Sequence, residues 1–275
     1  MEIPFMVKPG MNVSLQEGSK EWNKEFDPEY TSNYVKKGDT KKPLKKLHKR
    51  MLELQELLYA EGQRALLVIL QGMDTCGKDG TIRKVMSGIN VQGCEVVSFK
   101  APTGDELSRD YLWRVHKAVP QKGKIGIFNR SHYEDVLVVR VHNLVPESIW
   151  KRRYKQINDF ERMLVENGTV ILKFFLNISQ KEQKERLEAR IENPAKHWKI
   201  NASDFHERTY WDDYMQAYEV ALQECSTDWA PWYVIPADKK WYRNLVITER
   251  IVETLEGLDM KFPKPNTDVS KLILE

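Results

Sequence analysis

The residues whose types and spacing carry the most chemistry lie between Ala65 and Gly80, ALLVILQGMDTCGKDG. Gly72 and Gly77 stand five residues apart and Lys78 follows directly, the phosphate-binding loop (P-loop) pattern G-x-x-x-x-G-K up to its last position. A loop of this kind turns backbone N–H groups and a helix N-terminus toward one anion. Gly72, Met73, Thr75, Cys76, Gly77, Asp79 and Gly80 would form the cradle, and Lys78 would neutralise charge on the phosphate. The last position departs from the pattern: Asp79 stands where Ser or Thr should help to hold Mg²⁺. A bound metal would then need a carboxylate from elsewhere, and Asp74, inside the loop, is the nearest candidate. The competing reading of the shortened pattern is a glycine-rich turn without a ligand.

A second cluster is Phe128-Asn129-Arg130-Ser131-His132-Tyr133-Glu134-Asp135, which follows an apolar run. In phosphoryl transfer an acid at such a strand end helps to hold Mg²⁺, and an arginine neutralises the transferred group, roles that Glu134 and Arg130 could fill. Both acids could instead simply favour the N-terminus of a helix running through Val139; with the phosphate loop upstream, the functional reading leads. His132 reads as a hydrogen-bonded structural residue. The third cluster, Glu182 to Lys199, holds Lys184, Arg186, Arg190, Lys196 and Lys199. Glu182 lies four before Arg186, and Lys184 four before Glu188, spacings that pair on a helix surface. Arg190 has Arg186, Leu187, Asn193 and Pro194 at helical distance, no acid among them, so it is expected to meet water or an external anion and to be the better phosphate ligand of the two arginines. Asn193-Pro194 breaks the helix, and helix, break, helix suits a mobile lid. Cys76 would have a lowered thiol pKa if its sulfur faces the phosphate, and would be inert if it packs inward; both readings stay open.

These groups need elements to position them. Apolar runs at Leu66–Leu70, Glu95–Phe99, Lys124–Phe128, Thr169–Leu176 and Trp232–Pro236 predict five strands. Helical patterns fall at Lys78–Ile89, Thr103–Ala118, Pro146–Glu166, Ser179–Glu192, Ser203–Glu224 and Asn244–Leu258, and Trp211, Tyr214 and Tyr218 share a core-like spacing. Residues 1–42 read as an extended arm and 43–62 as an amphipathic helix whose Lys45, Lys46, Lys49 and Arg50 face solvent. The alternation predicts an α/β fold: a five-stranded parallel sheet between two helical layers, one domain over residues 1–275, a helical lid at 179–202, and ligands beyond the carboxyl ends of the strands.

With 275 residues and 41% hydrophobic content the chain can bury a proper core. Its net charge of only +3, with 30% charged residues, means that a polyanion site must be a local concentration, and nothing in the composition implies nucleic acid. The three cysteines are scattered, no run approaches membrane-spanning length and residues 1–28 lack a signal-peptide core, so a cytoplasmic protein without membrane contact is expected.

Taken together, GMDTCGKDG, FNRSHYEDVLVVRV, NPAKHWKI, TYWDDYMQAYE and DWAPWYVIPADKKW resemble the polyphosphate kinase 2 family from Lys45 to Leu258. The resemblance implies a fold similar to P-loop nucleoside monophosphate kinases, self-association, and Mg²⁺-dependent transfer of phosphate between inorganic polyphosphate and nucleotides, with Mn²⁺ a possible substitute. It matches Asp74 and Lys78 to the family's loop residues, and Arg186, Arg190 and Lys199 to its basic lid. Many members carry a segment similar to FDRSWYNR, so Asn129 and Glu134 mark an exchange of acid and amide, similar to the subgroup that phosphorylates AMP as well as ADP. A polyphosphate chain also requires cations distributed along a channel, which this sequence has. The alternatives are an ATP-dependent small-molecule or nucleotide kinase and a non-catalytic nucleotide- or polyanion-binding module; binding alone does not call for acids at Asp74 and Glu134.

Overall fold

The computed structural model describes residues 4–267, so residues 1–3 of the expected arm and 268–275 of the expected single domain lie outside the described residues. The sheet is built on β1 (Ala65–Gln71), every residue of which is buried. Its unbroken aliphatic run is what a strand covered on both faces requires. With β2 (Cys94–Ser98), β3 (Ile125–Asn129), β4 (Thr169–Asn177) and β5 (Trp232–Pro236) it forms a sheet in the order β2-β3-β1-β4-β5, with every strand pair parallel. Leu70 of β1 lies opposite both Asn129 and Phe174, so β1 and β3 end at one level. The connection leaving β1 runs to β2 on one side and that leaving β3 runs to β4 on the other, so the loops after these two neighbouring strands open a crevice between them.

The helices are α1 (Lys37–Glu61), α2 (Lys78–Val85), α3 (Gly104–Leu107), α4 (Trp113–Ala118), α5 (Val138–Val141), α6 (Glu147–Glu166), α7 (Gln180–Ile191), α8 (Ala202–Glu207), α9 (Trp211–Cys225) and α10 (Lys240–Glu256). Alternate residues of β4 divide the core. Lys173 and Phe175 face α6 and α9, meeting Glu161 and Tyr218, whereas Phe174 stacks with Tyr233, whose other neighbour is Arg250 of α10. Helix α10 in turn packs on α1 and α2.

Some boundaries differ from expectation. Helix α1 starts at Lys37 rather than Pro43, because the Asp39 carboxylate accepts the N–H groups of Val35 and Lys36 and opens the helix earlier. Pro43 stands inside the helix, and the residue four before it, whose carbonyl it cannot pair, is the exposed Asp39. The expected helix 103–118 is cut in two because Asp110 accepts the Leu112 N–H at 3.0 Å and starts α4 afresh, although the capping box of Thr103 and Glu106 forms. The helix expected over 203–224 is interrupted at Arg208–Tyr210, where the Arg208 guanidinium is tied to the Gln180 carbonyl and Gln183 of α7. The arm lies on the open edge of β5: the Val7 N–H donates to the Trp232 carbonyl and the Val234 N–H to the Phe5 carbonyl, both at 2.9 Å.

Behind the 3-10 turn His132–Asp135 lies a fully buried ionic cluster. Lys173 Nζ donates to Glu161 Oε2 at 2.5 Å, to the Tyr133 hydroxyl at 2.8 Å and to the Cys225 carbonyl at 2.7 Å, while Tyr133 and His132 both donate to Glu161 Oε1. Burial alone would raise the Glu161 carboxyl, but the Lys173 charge and the His132 hydrogen bond hold it below the usual range. Lys173→Met is therefore expected to lower folding stability by about 3 to 5 kcal/mol, because it strands a buried carboxylate, and Lys173→Met with Glu161→Leu to recover most of that loss. Urea unfolding of the two variants checks the order; a double variant less stable than the single one contradicts it.

Candidate active site

The phosphate loop joins β1 to α2. Gln183 Nε2 donates to the Asp74 carbonyl at 3.1 Å, Arg186 Nη1 to those of Thr75 and Cys76 at 3.0 and 2.9 Å, and Arg243 Nη1 to that of Cys76 at 2.7 Å. Lys78 Nζ folds back on the carbonyls of Gly72 and Met73 at 2.7 and 3.3 Å. Only glycine fits at position 77: φ is +106°, and a Cβ there would stand 2.2 Å from Arg243 Nη1.

Arg130 immediately follows β3 in the left-handed region at φ +60°, with its N–H on the Leu70 carbonyl. Its Nη2 donates to Asp74 Oδ1 at 2.6 Å. Burial would raise the Asp74 carboxyl, but the positive charges of Lys78 and Arg130 overcome it and hold it below the usual carboxylate range. Glu134 accepts from Gln71 Nε2 at 2.9 Å, and Asn129 Nδ2 donates to Asp79 Oδ1 at 2.7 Å. Asp135 points elsewhere, onto Arg153, and burial pushes its carboxyl up to about 6.

Two cavities meet at the Asp74–Arg130 ion pair, since both residues line both. The larger, about 470 Å³, has five cations, Lys78, Lys100, Arg130, Arg190 and Lys199, against three acids, Asp74, Asp79 and Asp204, the last of which lines both cavities, and also touches Thr75, Gly77, Gly80 and Asn129. The smaller, about 210 Å³, has an acidic wall of Asp74, Glu134, Asp204 and Glu207, with Gly72, Met73, Tyr214 and Tyr218. Tyr214 and Tyr218 are thus core residues that also face the site.

Two expectations change, and one open question is answered. Arg186 does not face the cavity: it is buried, its Nη2 donates to the carbonyls of Ala237 and Asp238 and its Nε to Glu182, so its donors are committed to the protein. Arg190 has an acidic partner after all, Asp204 of α8 at 3.2 Å, which helical spacing could not reveal because the two residues lie on different helices, with the turn Pro194–Lys199 between them. Cys76 is 0% exposed and lines neither cavity, so its sulfur packs inward, 3.6 Å from Lys78 Nζ.

Other contributors went unforeseen. Gln71, the last residue of β1, could have been found as the polar residue ending an apolar strand. Arg243 gave no signal: it sits ahead of the expected start of its helix, in a segment that reads as loop. Among the described residues no group of three or more acids, histidines or cysteines converges on a metal position.

A glycine-bracketed loop leading into a helix, a lysine, an arginine and two acids beside a second cavity are the groups that phosphoryl transfer between two anions calls for. Known proteins resemble the chain over most of its length. A protein from Meiothermus ruber named AMP/ADP-polyphosphate phosphotransferase is 58% identical over 229 residues, covering 83% of this chain and 86% of its own. One from Rhodopseudomonas palustris named ADP-polyphosphate phosphotransferase is 48% identical, with 82% of each chain covered. The crystal structure of polyphosphate kinase 2 from Arthrobacter aurescens superposes with a TM-score of 0.87 at 45% identity, over 96% of this chain and 97% of that one. The family model described as Polyphosphate kinase 2 matches residues 34–263, and the chain belongs to that family.

Proposed function

We propose that the protein transfers the terminal phosphoryl group of inorganic polyphosphate to AMP and ADP, giving ADP and ATP, and that it runs in both directions. The observation that carries this is the pair of cavities of opposite charge sharing Asp74 and Arg130. A row of phosphates suits the basic cavity. Nucleoside hydroxyl and amino groups, which donate hydrogen bonds, suit the carboxylates, Tyr214 and Asn201 of the smaller one. The names of the similar proteins from M. ruber and R. palustris support the same substrates.

In this reading a terminal phosphate oxygen of the acceptor attacks the end phosphorus of polyphosphate in line. A new P–O bond forms, the bridging P–O bond breaks, and the shortened chain keeps the bridging oxygen and its charge. Lys78 leaves the Gly72 and Met73 carbonyls for phosphate oxygens, while Arg130 neutralises the transferring group. The donor set fits Mg²⁺, and Mn²⁺ by the same oxygens: Asp74 and Glu134 are hard carboxylates in one cavity, and Mg²⁺ ordinarily takes one or two carboxylates plus phosphate and water. When bound, the metal would neutralise phosphate charge. Arg190 and Lys199 would meet the polyphosphate from the lid, with Asp204 holding Arg190 in place until the chain arrives. Self-association follows the family. The cytoplasmic location that we propose rests on the scattered, unpaired cysteines; separately, among the described residues no helix is long and apolar enough to cross a membrane.

The deciding experiment is incubation with AMP, polyphosphate and Mg²⁺ without ATP. ADP and then ATP are expected; transfer only from added ATP identifies an ATP-dependent kinase instead. Lys78→Ala should lower kcat on the order of 100- to 1,000-fold while the circular dichroism spectrum is preserved, and near-normal turnover would exclude Lys78 from the reaction. Asn129→Asp combined with Glu134→Asn should depress AMP phosphorylation more than ADP phosphorylation, by roughly fivefold to 150-fold for a like-charge change of about 1 to 3 kcal/mol. The check is kcat/KM for both acceptors in the wild type, both single variants and the double; a constant AMP-to-ADP ratio places the selectivity elsewhere.

A further inference from the structure

Arg243 lies outside both cavities, yet it touches the phosphate loop directly. We propose that Arg243, with Arg186, is a positioning residue for phosphate: the two guanidinium groups hold the Cys76 carbonyl from beneath, aiming the Gly77 N–H at the bound chain, and Arg243 lends that peptide an unneutralised charge.

The geometry rests on one peptide plane. In a trans peptide the C=O and N–H point in opposite directions, so fixing one fixes the other. The Cys76 carbonyl accepts from Arg243 Nη1 at 2.7 Å and Arg186 Nη1 at 2.9 Å, both below the loop. The N–H of the same peptide belongs to Gly77, which lines the basic cavity and, among the described residues, has no protein acceptor. A Cβ at position 77 would stand 2.2 Å from Arg243 Nη1, so the missing side chain is also what admits the guanidinium to the backbone.

The electrostatics distinguish the two arginines. Arg186 has a carboxylate, Glu182, at 2.7 Å. Arg243 is 2% exposed, and its other contacts are to a neutral group, the Asn244 side-chain oxygen, at 3.3 Å from Nε and 3.1 Å from Nη2. Burial, followed by the nearby charge of Arg186, lowers its pKa to about 10, which leaves it charged at neutral pH. A buried cation facing only neutral oxygens is costly, and an anion on the opposite side of one peptide layer relieves that cost. Phosphate and Arg243 are then attracted through the Cys76–Gly77 peptide, whose dipole points from one to the other.

The inference rests on the phosphate loop holding polyphosphate, and its test separates the two claims. Tripolyphosphate is the probe, titrated calorimetrically into the wild type and three full-length variants at two salt concentrations. Asn244→Asp is isosteric and places a carboxylate on the Arg243 fork, cancelling the charge while keeping the donor to Cys76. The expected result is tripolyphosphate affinity weakened on the order of tenfold, a flatter salt dependence, and thermal stability equal to or above that of the wild type. Arg243→Met should weaken binding on the order of 100-fold, and Arg243→Lys should restore part of it. KM for polyphosphate should follow these affinities while KM for nucleotide stays within about twofold, a split that general loosening of the fold would not produce. Tripolyphosphate affinity within about twofold of wild type in Asn244→Asp and in folded Arg243→Met overturns the proposal; if Arg243→Met does not fold, Asn244→Asp decides alone. Failure of the wild type to make ADP from AMP and polyphosphate would instead sink the activity reading, and the binding series would still decide the role of Arg243.

Discussion

A loop that offers its N–H groups to an anion must dispose of its carbonyls, and that requirement organises much of this molecule. The carbonyls of Asp74, Thr75 and Cys76 all turn toward α7 and α10, where Gln183, Arg186 and Arg243 accept the task of pairing them. Arg186 goes further and ties the same loop to the carbonyls of Ala237 and Asp238 after β5. The ends of β1 and β5 and the start of the lid are thereby fixed to one another without a covalent link. Charge-assisted donors are the strong choice for such a junction, and a planar fork can serve several carbonyls at once.

The facing segment is held by different means. The turn His132–Asp135 follows Arg130 and carries Glu134, and it is anchored from behind by His132 and Tyr133 on Glu161. That carboxylate is matched by Lys173 in the middle of β4, where its neighbours Val170–Leu172 and Phe174–Leu176 are all apolar. Inserting an ion pair there costs desolvation, and its return is geometric: a unique depth and rotation for the turn that presents Arg130 to Asp74. The site thus sits between a loop fastened by arginines and a turn fastened by a buried carboxylate.

The strands were legible because each is an apolar run with no competing period. β5 matches its predicted bounds, Trp232–Pro236, and the other predicted strands are displaced by at most a residue at each end. The phosphate loop was legible from Gly72, Gly77 and Lys78 alone, since glycine spacing there answers to backbone geometry. What failed was the reading of arginines. Counting neighbours three and four residues away sees only one helix, so it gave Arg186 a partner in Glu182 but missed four backbone carbonyls, and it left Arg190 without the Asp204 that a later segment supplies. The breaks at Asp110 and Arg208 have a similar cause. A side-chain hydrogen bond to the backbone competes with helix continuation, and its partner at Arg208 lies far away in sequence.

The arm laid along β5 has a consequence for how the chain is made. Met6 bridges Tyr233, so a segment that leaves the ribosome early cannot take its place until the fifth strand has followed it. Until β5 has followed, Phe5 and Val7, both buried in the finished protein, lack the strand against which they lie there. Contacts between such distant segments are slow to close. Until they do, β5 offers an unpaired edge to any other strand nearby. The arm's hydrogen bonds to Trp232 and Val234 are therefore also a safeguard: in the finished protein they withdraw the sheet edge from intermolecular pairing.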